Sequence, residues 1–449
     1  MNILWHSNAT WMPSGYGTQS RIWTHRLKEA GYGVVVSAYR GLEGSPLADA
    51  AGIVHLPRVK EQHGNDVIYG HYLYAQTYFP NHQRTSVIWS LIDIFAMRPD
   101  LWMPLPWAAW CPVDCEPILQ NERAQFNACR WPIAISRHGE AQMKEIGLKP
   151  LYVPHGIETE VFKPTDRSQA RKNMFTKNLI DQVIPDDAFL VVIVANNGEG
   201  GRKNFAGMFE AFQLFSHDHP DALLYVHADP SGVHGHPIDA MAAQLGIADK
   251  VIFPGGNHLL VDGDGNGSLR SLGTYMMVTG IPTDDHLVDV YNAADVKLML
   301  SYGEGFGLTD VEAQACGCPL IAIDFAASSE INLTGWKVSG IRFQPERIPR
   351  SYQMLADPYD AADCLAHAYS IWKAGEMPEL RERTRKAALV YDVETVLKDH
   401  FIPVLNEIDA QLKAEPHAEW LRKKTEPEKV APIWDKKRVL QEIKKTENL

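Results

Sequence analysis

The chain has 449 residues, 45% of them hydrophobic and 22% charged, with a net charge of −12. That length exceeds one ordinary core and implies two domains. The acidity counts against broad electrostatic binding to nucleic acid. No run of about 18 uncharged apolar residues is present, so no transmembrane helix is expected. The N-terminus, Met1 to Trp5, lacks a basic and apolar leader, and a cytoplasmic protein is the expectation. Six cysteines are too few for a disulfide framework. Cys111 and Cys115, like Cys316 and Cys318, have no second pair to complete a zinc set, so small buried thiols and no metal site are expected.

In chain order, "MNILWHS" reads as a buried strand, followed by a glycine-containing loop and a helix from about Thr18 to Ala30. "GVVVSAY", "DVIYGH", "TSVIWSLID", "WAAWCPV", "PIAIS" and "PLYVPHG" continue as short apolar runs bounded by turn signals. Such runs suit strands buried on both faces, and their alternation with helical stretches implies a doubly wound parallel sheet. The pattern restarts at "AFLVVIVAN" and continues through "ALLYVHAD", "KVIFPG", "DVKLMLS" and "PLIAID". The expected division is a Rossmann-like domain over 1–180, a second over 181–385, and closing helices over 386–449 that return to the N-terminal domain and end in a charged tail. The Lys-rich stretches of that tail are mixed with glutamates and read as solvated.

In open α/β sheets, ligands sit beyond the carboxyl ends of the strands, so the loops there are the candidate ligand sites. "NATWMPSGYGTQSR" places Gly15 and Gly17 where backbone can approach a ligand, with Thr18 or Ser20 available to cap the next helix. "ANNGEGGRKNF" sets Arg202 and Lys203 at a helix start, an arrangement the helix dipole disfavours unless an anion such as a diphosphate lies between them. "GEGFGLTDVEAQ" brings Glu304 before a glycine-rich turn and a helix beginning near Thr309. Thr309 and Glu312 match a capping box, which offers Glu312 a purely structural role; Glu304 has no such explanation. An ionised carboxylate there accepts hydrogen bonds from sugar hydroxyls.

Asp93 in "SLIDIF" and Asp114 in "CPVDCEP" stand at strand ends, as does His71 after "DVIYG"; His155 lies in "YVPHGIE". The two carboxylates are general-base or sugar-binding candidates. "DGDGNGSLRSLG" (262–273) imitates a calcium loop but has glycine where a bidentate glutamate is needed, so it reads as an insertion. Trp11, Trp89, Trp102, Trp107 and Trp110 either stack sugar rings or pack a core.

Together these segments resemble the retaining nucleotide-sugar glycosyltransferases of the GT-B fold, glycosyltransferase family 4 in particular. Glu304 and Glu312 match that family's E-x7-E motif. "AISRHGEAQMKEIGLKPLYVPHGIETEVFKP" is similar to its interdomain segment, "RKNFAGMFEAF" to its phosphate-binding lysine segment, and "NATWMPSGYGTQS" to its first glycine-rich loop.

The resemblance implies two Rossmann-like domains facing a central cleft. It implies a metal-independent, retaining transfer of a hexose or similar sugar from a UDP- or GDP-sugar to a hydroxyl acceptor, with no cofactor. Polysaccharides, lipid carriers, proteins and modified nucleobases are acceptors of such enzymes, so nucleic acid enters only as an acceptor. Glu304, with Lys203, Arg202 and Asp93, is the implied catalytic set. Gly15, Gly17, Asn197, Gly305, Phe306, Gly307, Leu308, Thr309 and Glu312 are the implied donor-binding residues. His71 and Asp114 are acceptor-side candidates, His155 organises the domain junction, and Glu330 matches an acidic residue that follows the next strand. Two departures stand out. The phosphate arginine's usual place reads Asn196-Asn197-Gly198, with Arg202 as its substitute, and Ile92 replaces the histidine that often precedes the aspartate. Other readings are a non-catalytic nucleotide-sugar sensor and a phosphorylase of similar fold. The phosphorylase needs a lysine-bound pyridoxal that no segment indicates.

Overall fold

The computed structural model describes residues 1–79, 84–177, 179–198, 200–230, 235–254, 259–261, 267–269, 283–345 and 350–425. Most of the calcium-loop-like insertion at 262–273 and the last stretch of the Lys-rich tail lie outside these residues.

The first sheet has eight strands: β1 (Asn2–Asn8), β2 (Gly33–Arg40), β3 (Leu47–Ala48), β4 (Val54–Pro57), β5 (Ser86–Leu91), β6 (Trp107–Cys111), β7 (Trp131–Ala134) and β8 (Leu151–Tyr152). Their order is β3-β4-β2-β1-β5-β6-β7-β8, parallel throughout except for the short edge strand β3. β1 therefore has β2 on one side and β5 on the other, and the loops after β1 and β5 open a crevice where the winding reverses. The second sheet runs β11-β10-β9-β14-β15-β16. Its strands are β9 (Phe189–Val194), β10 (Ala222–His227), β11 (Val251–Ile252), β14 (Val296–Met299), β15 (Leu320–Ile323) and β16 (Trp336–Val338). Its switch point lies between β9 and β14. Among the described residues there are also two antiparallel strand pairs, β12 (Leu259–Val261) with β13 (Gly267–Leu269) and β17 (Gly340–Phe343) with β18 (Gln353–Ala356).

One expectation is corrected. "DVIYGH" is not a strand: Ile68–Tyr78 is helical. The slot beside β2 is filled by β4, whose register pairs Val35 with Val54 through Ala38 with Pro57. With that edge taken, the helix lies across the sheet and fully buries only Ile68 and Ala75.

The tryptophans are mainly core. Trp89, Trp102, Trp107 and Trp110 are completely buried, whereas Trp11 is 39% exposed. Phe401, far along the chain, packs 4.5 Å from Trp89 and 4.7 Å from Trp23 between ring centroids. The helix Ile402–Ala414 continues along this domain, where Gln411 accepts from the Trp131 indole at 2.8 Å. All six cysteines are buried and free. Among the described residues, no helix is long and apolar enough to cross a membrane.

Candidate functional site

The candidate site gathers the loops that follow β9 and β14. After β9 the chain passes Asn197, whose side chain is committed to the neighbouring loop. Its Nδ2 donates to the Asp229 and His236 carbonyls, and its Oδ1 accepts from the His236 amide. Only its backbone remains to meet a ligand. Arg202 and Lys203 come next, just before Asn204. Asn204, in the left-handed region at φ 55°, caps α2 (Phe205–Asp218) by accepting from the Gly207 amide.

The anion that the two cations require is supplied by the protein. Lys203 Nζ lies 2.5 Å from Glu304 Oε1, and Arg202 Nη1 lies 3.0 Å from Glu304 Oε2. Arg202 also donates to the Gly303 carbonyl. Glu304 is 7% exposed. Burial alone would raise its pKa, but Arg202 and Lys203 hold it well below the usual carboxylate range. Glu304 in turn raises the Arg202 guanidinium further.

The glycines around Glu304 have an architectural reason that the sequence did not reveal. A Cβ on Gly303 would stand 2.1 Å from the Asp114 carbonyl oxygen, and one on Gly305 would stand 2.3 Å from Pro112 Cβ. The turn around Glu304 thus abuts the loop after β6 of the other domain. That loop is stitched down nearby, where Glu116 and Tyr352 exchange backbone hydrogen bonds of 3.1 and 2.8 Å.

The helix that follows, α3 (Leu308–Ala315), starts at Gly307 in the left-handed region, φ 106°, with no side-chain cap. The capping-box reading of Thr309 and Glu312 is therefore corrected, because Thr309 is already helical. Its hydroxyl accepts instead from Lys297 Nζ at 2.8 Å, and Lys297 also pairs with Asp310 at 2.5 Å in a fully buried ion pair. Sequence reading missed this pair, although a lysine inside the apolar strand "DVKLMLS" is its visible trace. With Phe306 buried beneath the turn, the first amides of α3, those of Leu308 and Thr309, have no intrahelical acceptor and suit an anion. Glu312 accepts from the Tyr291 hydroxyl at 3.0 Å. It lines an interdomain crevice with Thr18, Arg21, Ile157 and Glu158.

On the facing wall, α1 (Gly15–Glu29) begins earlier than the sequence implied. Ser14, not Thr18 or Ser20, caps it by accepting from the Gly17 amide at 3.1 Å. Gly15 and Gly17 thus lie in its first turn, and Gly15 faces the Leu308 side chain closely enough that a Cβ would be 3.0 Å away. Tyr16 donates to Asp93 Oδ2 at 3.1 Å across the β1–β5 crevice. Nothing in the sequence marked Tyr16 as the holder of Asp93.

Asp93 and Asp114 share one electrostatic neighbourhood. Burial raises both, Asp114 to about 6, and Arg202 opposes the rise in each. Arg202 Nη1 is 3.9 Å from Asp114 Oδ2, so one guanidinium reaches carboxylates of both domains. Glu122, unnoticed in the sequence, is pushed to about 7 by burial and by Asp114 and Asp93.

His71, placed in a helix, bonds to Ser37 Oγ at 2.8 Å. The same hydroxyl lies 3.0 Å from His6 Nδ1, forming a partly buried chain whose two imidazoles burial keeps neutral. His155 wedges between Trp110 and Phe306, and burial drives its pKa to about 3. Glu330 reaches across the domains and accepts from the Arg137 and His138 amides at 2.9 Å each, at the start of the helix Arg137–Glu145.

Residues 238–357 match the family described as glycosyl transferases group 1. The D-inositol 3-phosphate glycosyltransferase of Acidothermus cellulolyticus is 30% identical over 175 residues, 38% of this chain and 32% of the relative. That of Rhodococcus erythropolis is 36% identical over 133 residues, 27% of this chain and 30% of the relative. The matched region thus spans about a third of the length of these curated relatives.

Likeness of shape extends much further. Sucrose-phosphate synthase from Thermosynechococcus elongatus superposes with a TM-score of 0.63 at 17% identity, covering 92% of this chain and 99% of that one. The Anabaena protein Alr3699/HepE, solved with UDP and glucose, gives 0.60 at 15% identity over 91% of this chain and 100% of that one. The fold is GT-B, and the likeness to group 1 glycosyltransferases holds over the segment that carries Glu304 and Glu312.

Proposed function

We propose that this GT-B chain transfers a sugar from a nucleotide diphosphate donor to a hydroxyl acceptor, with retention of anomeric configuration and without a metal ion. The observation that carries the reading is the meeting of Glu304 with Arg202 and Lys203 beside the open first turn of α3. In the donor complex the diphosphate takes the two cations and the amides of Gly305, Phe306, Gly307, Leu308 and Thr309. Glu304, released from them, accepts hydrogen bonds from the donor sugar. Glu312 holds ribose hydroxyls, and Gly15 and Gly17 let α1 approach the phosphates.

Departure of the diphosphate is the step to assist. Two fixed cations and a helix start stabilise the charge that develops there, which removes the need for a divalent ion in this role. The acceptor hydroxyl enters on the face from which the diphosphate leaves, beside Asp93 and Asp114. UDP- and GDP-sugars are the expected donors, and the acceptor is a hydroxyl compound that binds against this acidic wall.

The test has two stages. Thermal stabilisation by UDP, GDP, ADP and their sugars identifies the donor, because a ligand that binds only the folded state raises its stability. Radiolabelled transfer to candidate acceptors and the anomeric configuration of the product follow. Absence of both stabilisation and transfer across the panel overturns the reading.

A further inference from the structure

We propose that the His227 imidazole reads the donor's nucleobase, its Nε2–H donating to a ring carbonyl oxygen of the kind uracil and guanine carry and adenine lacks. The inference rests on the donor reading above and assigns a residue to its base selectivity.

His227 is the last residue of β10, at the carboxyl end of the sheet where ligands of such folds sit. It is 7% exposed. Its Nδ1 lies 2.9 Å from the Tyr225 hydroxyl, while among the described residues its Nε2 has no hydrogen-bond partner. Buried polar atoms are rarely left unpaired in folded proteins, and each exception calls for an explanation. The tautomer follows from the same contact. Tyr225 is completely buried, and His227 Nδ1 is the hydrogen-bond partner of its hydroxyl. The phenol donates to that nitrogen, which leaves the ring proton on Nε2. The imidazole is neutral at physiological pH, because burial, aided by the nearby His286, lowers its pKa to about 4. The unpaired group is therefore a neutral N–H in search of an acceptor.

Its position matches a base rather than a phosphate. Along a strand alternate residues share a face, so His227 lies on the Tyr225 face, which joins Val194, Leu287 and Tyr291 in one core cluster. Tyr291 on that face carries Glu312, the residue assigned to ribose. Across the sheet His227 is in register with Val194, whose carbonyl accepts from the Thr309 hydroxyl at 3.5 Å. The unpaired nitrogen thus belongs to the strand next to the one that touches the start of α3. That is one strand spacing, about 4.8 Å, further from the diphosphate contacts.

The experiment measures dissociation constants of UDP, GDP and ADP by calorimetry for the wild type, His227→Leu and Tyr225→Phe. Circular dichroism verifies the fold of each. The wild type is expected to bind UDP or GDP at least about tenfold tighter than ADP. In His227→Leu that ratio should fall to within about threefold through weaker binding of the favoured nucleotide alone, as for loss of one neutral hydrogen bond. Tyr225→Phe, which no longer fixes the tautomer, should lower the ratio partly, and it decides alone if the leucine variant does not fold. A wild-type ratio kept in the variants, an equal loss for all three nucleotides, or a wild-type preference for ADP overturns the assignment. Failure of the wild type to bind any of the three defeats the donor reading itself.

Discussion

Glu304 carries the heaviest demand of any single side chain, because both of its oxygens are already engaged by Arg202 and Lys203. Glu304→Gln should therefore separate two properties. Transfer should fall about 10²-fold or more, the scale seen when a preorganised polar group at a reacting centre is lost. Affinity for the bare nucleoside diphosphate should rise several-fold, because the competing internal anion is gone; steady-state rates and calorimetry check both. Asp114 makes a second prediction, through its pKa of about 6. The folded chain holds this proton more tightly than the unfolded chain, so stability falls as pH rises from the ordinary carboxylate range to about 6. Asp114→Asn removes that loss. Its Tm should exceed that of the wild type at pH 8 and match it at pH 4, as scanning calorimetry at the two pH values would show. At this scale the sequence was partly legible. Glu304, Arg202 and Lys203 were visible because charged residues beside glycines need an explanation. Tyr16 and Glu122 were not, since their roles arise only when distant loops meet across the cleft.

Among the elements, the turn from Gly303 to Gly307 and the loop after β6 form one closely fitted contact. The sequence marked the glycines as ligand-facing, yet Gly303 and Gly305 are also required by the approach of Asp114 and Pro112 from the other domain. No local pattern carries that information, because the partner lies about 190 residues away. Gly305→Ala should hold the domains apart. Transfer should drop on the order of 10²-fold, the usual effect of a displacement near 1 Å at a reacting centre. Small-angle scattering should report a larger radius of gyration, with helix and strand content unchanged. The strands themselves were legible from their apolar runs. "DVIYGH" misled because a short apolar run, here Val67 to Tyr69, has the same composition whether it enters a sheet or opens a helix.

For the molecule as a whole, two sheets in series were legible from the restart of the strand–helix pattern. The side chain that anchors the C-terminal helices was not. Phe401 is completely buried among Trp5, Trp23, Trp89 and Trp110. Phe401→Ala should cost about 3–5 kcal/mol and destabilise the N-terminal domain from a distance of some 300 residues along the chain. Urea unfolding followed by tryptophan emission would register it, because the indoles that lose their neighbour are the reporters. The pairing of Glu304 with two cations has a final consequence for how the cleft responds to its medium. On the proposed function, donor entry does not create ion pairs where none existed; it trades one set for another. Such an exchange releases few small ions to the solvent, so donor affinity should vary only weakly between low and physiological ionic strength. A surface that captured its diphosphate with two idle lysines would lose affinity steeply over the same range.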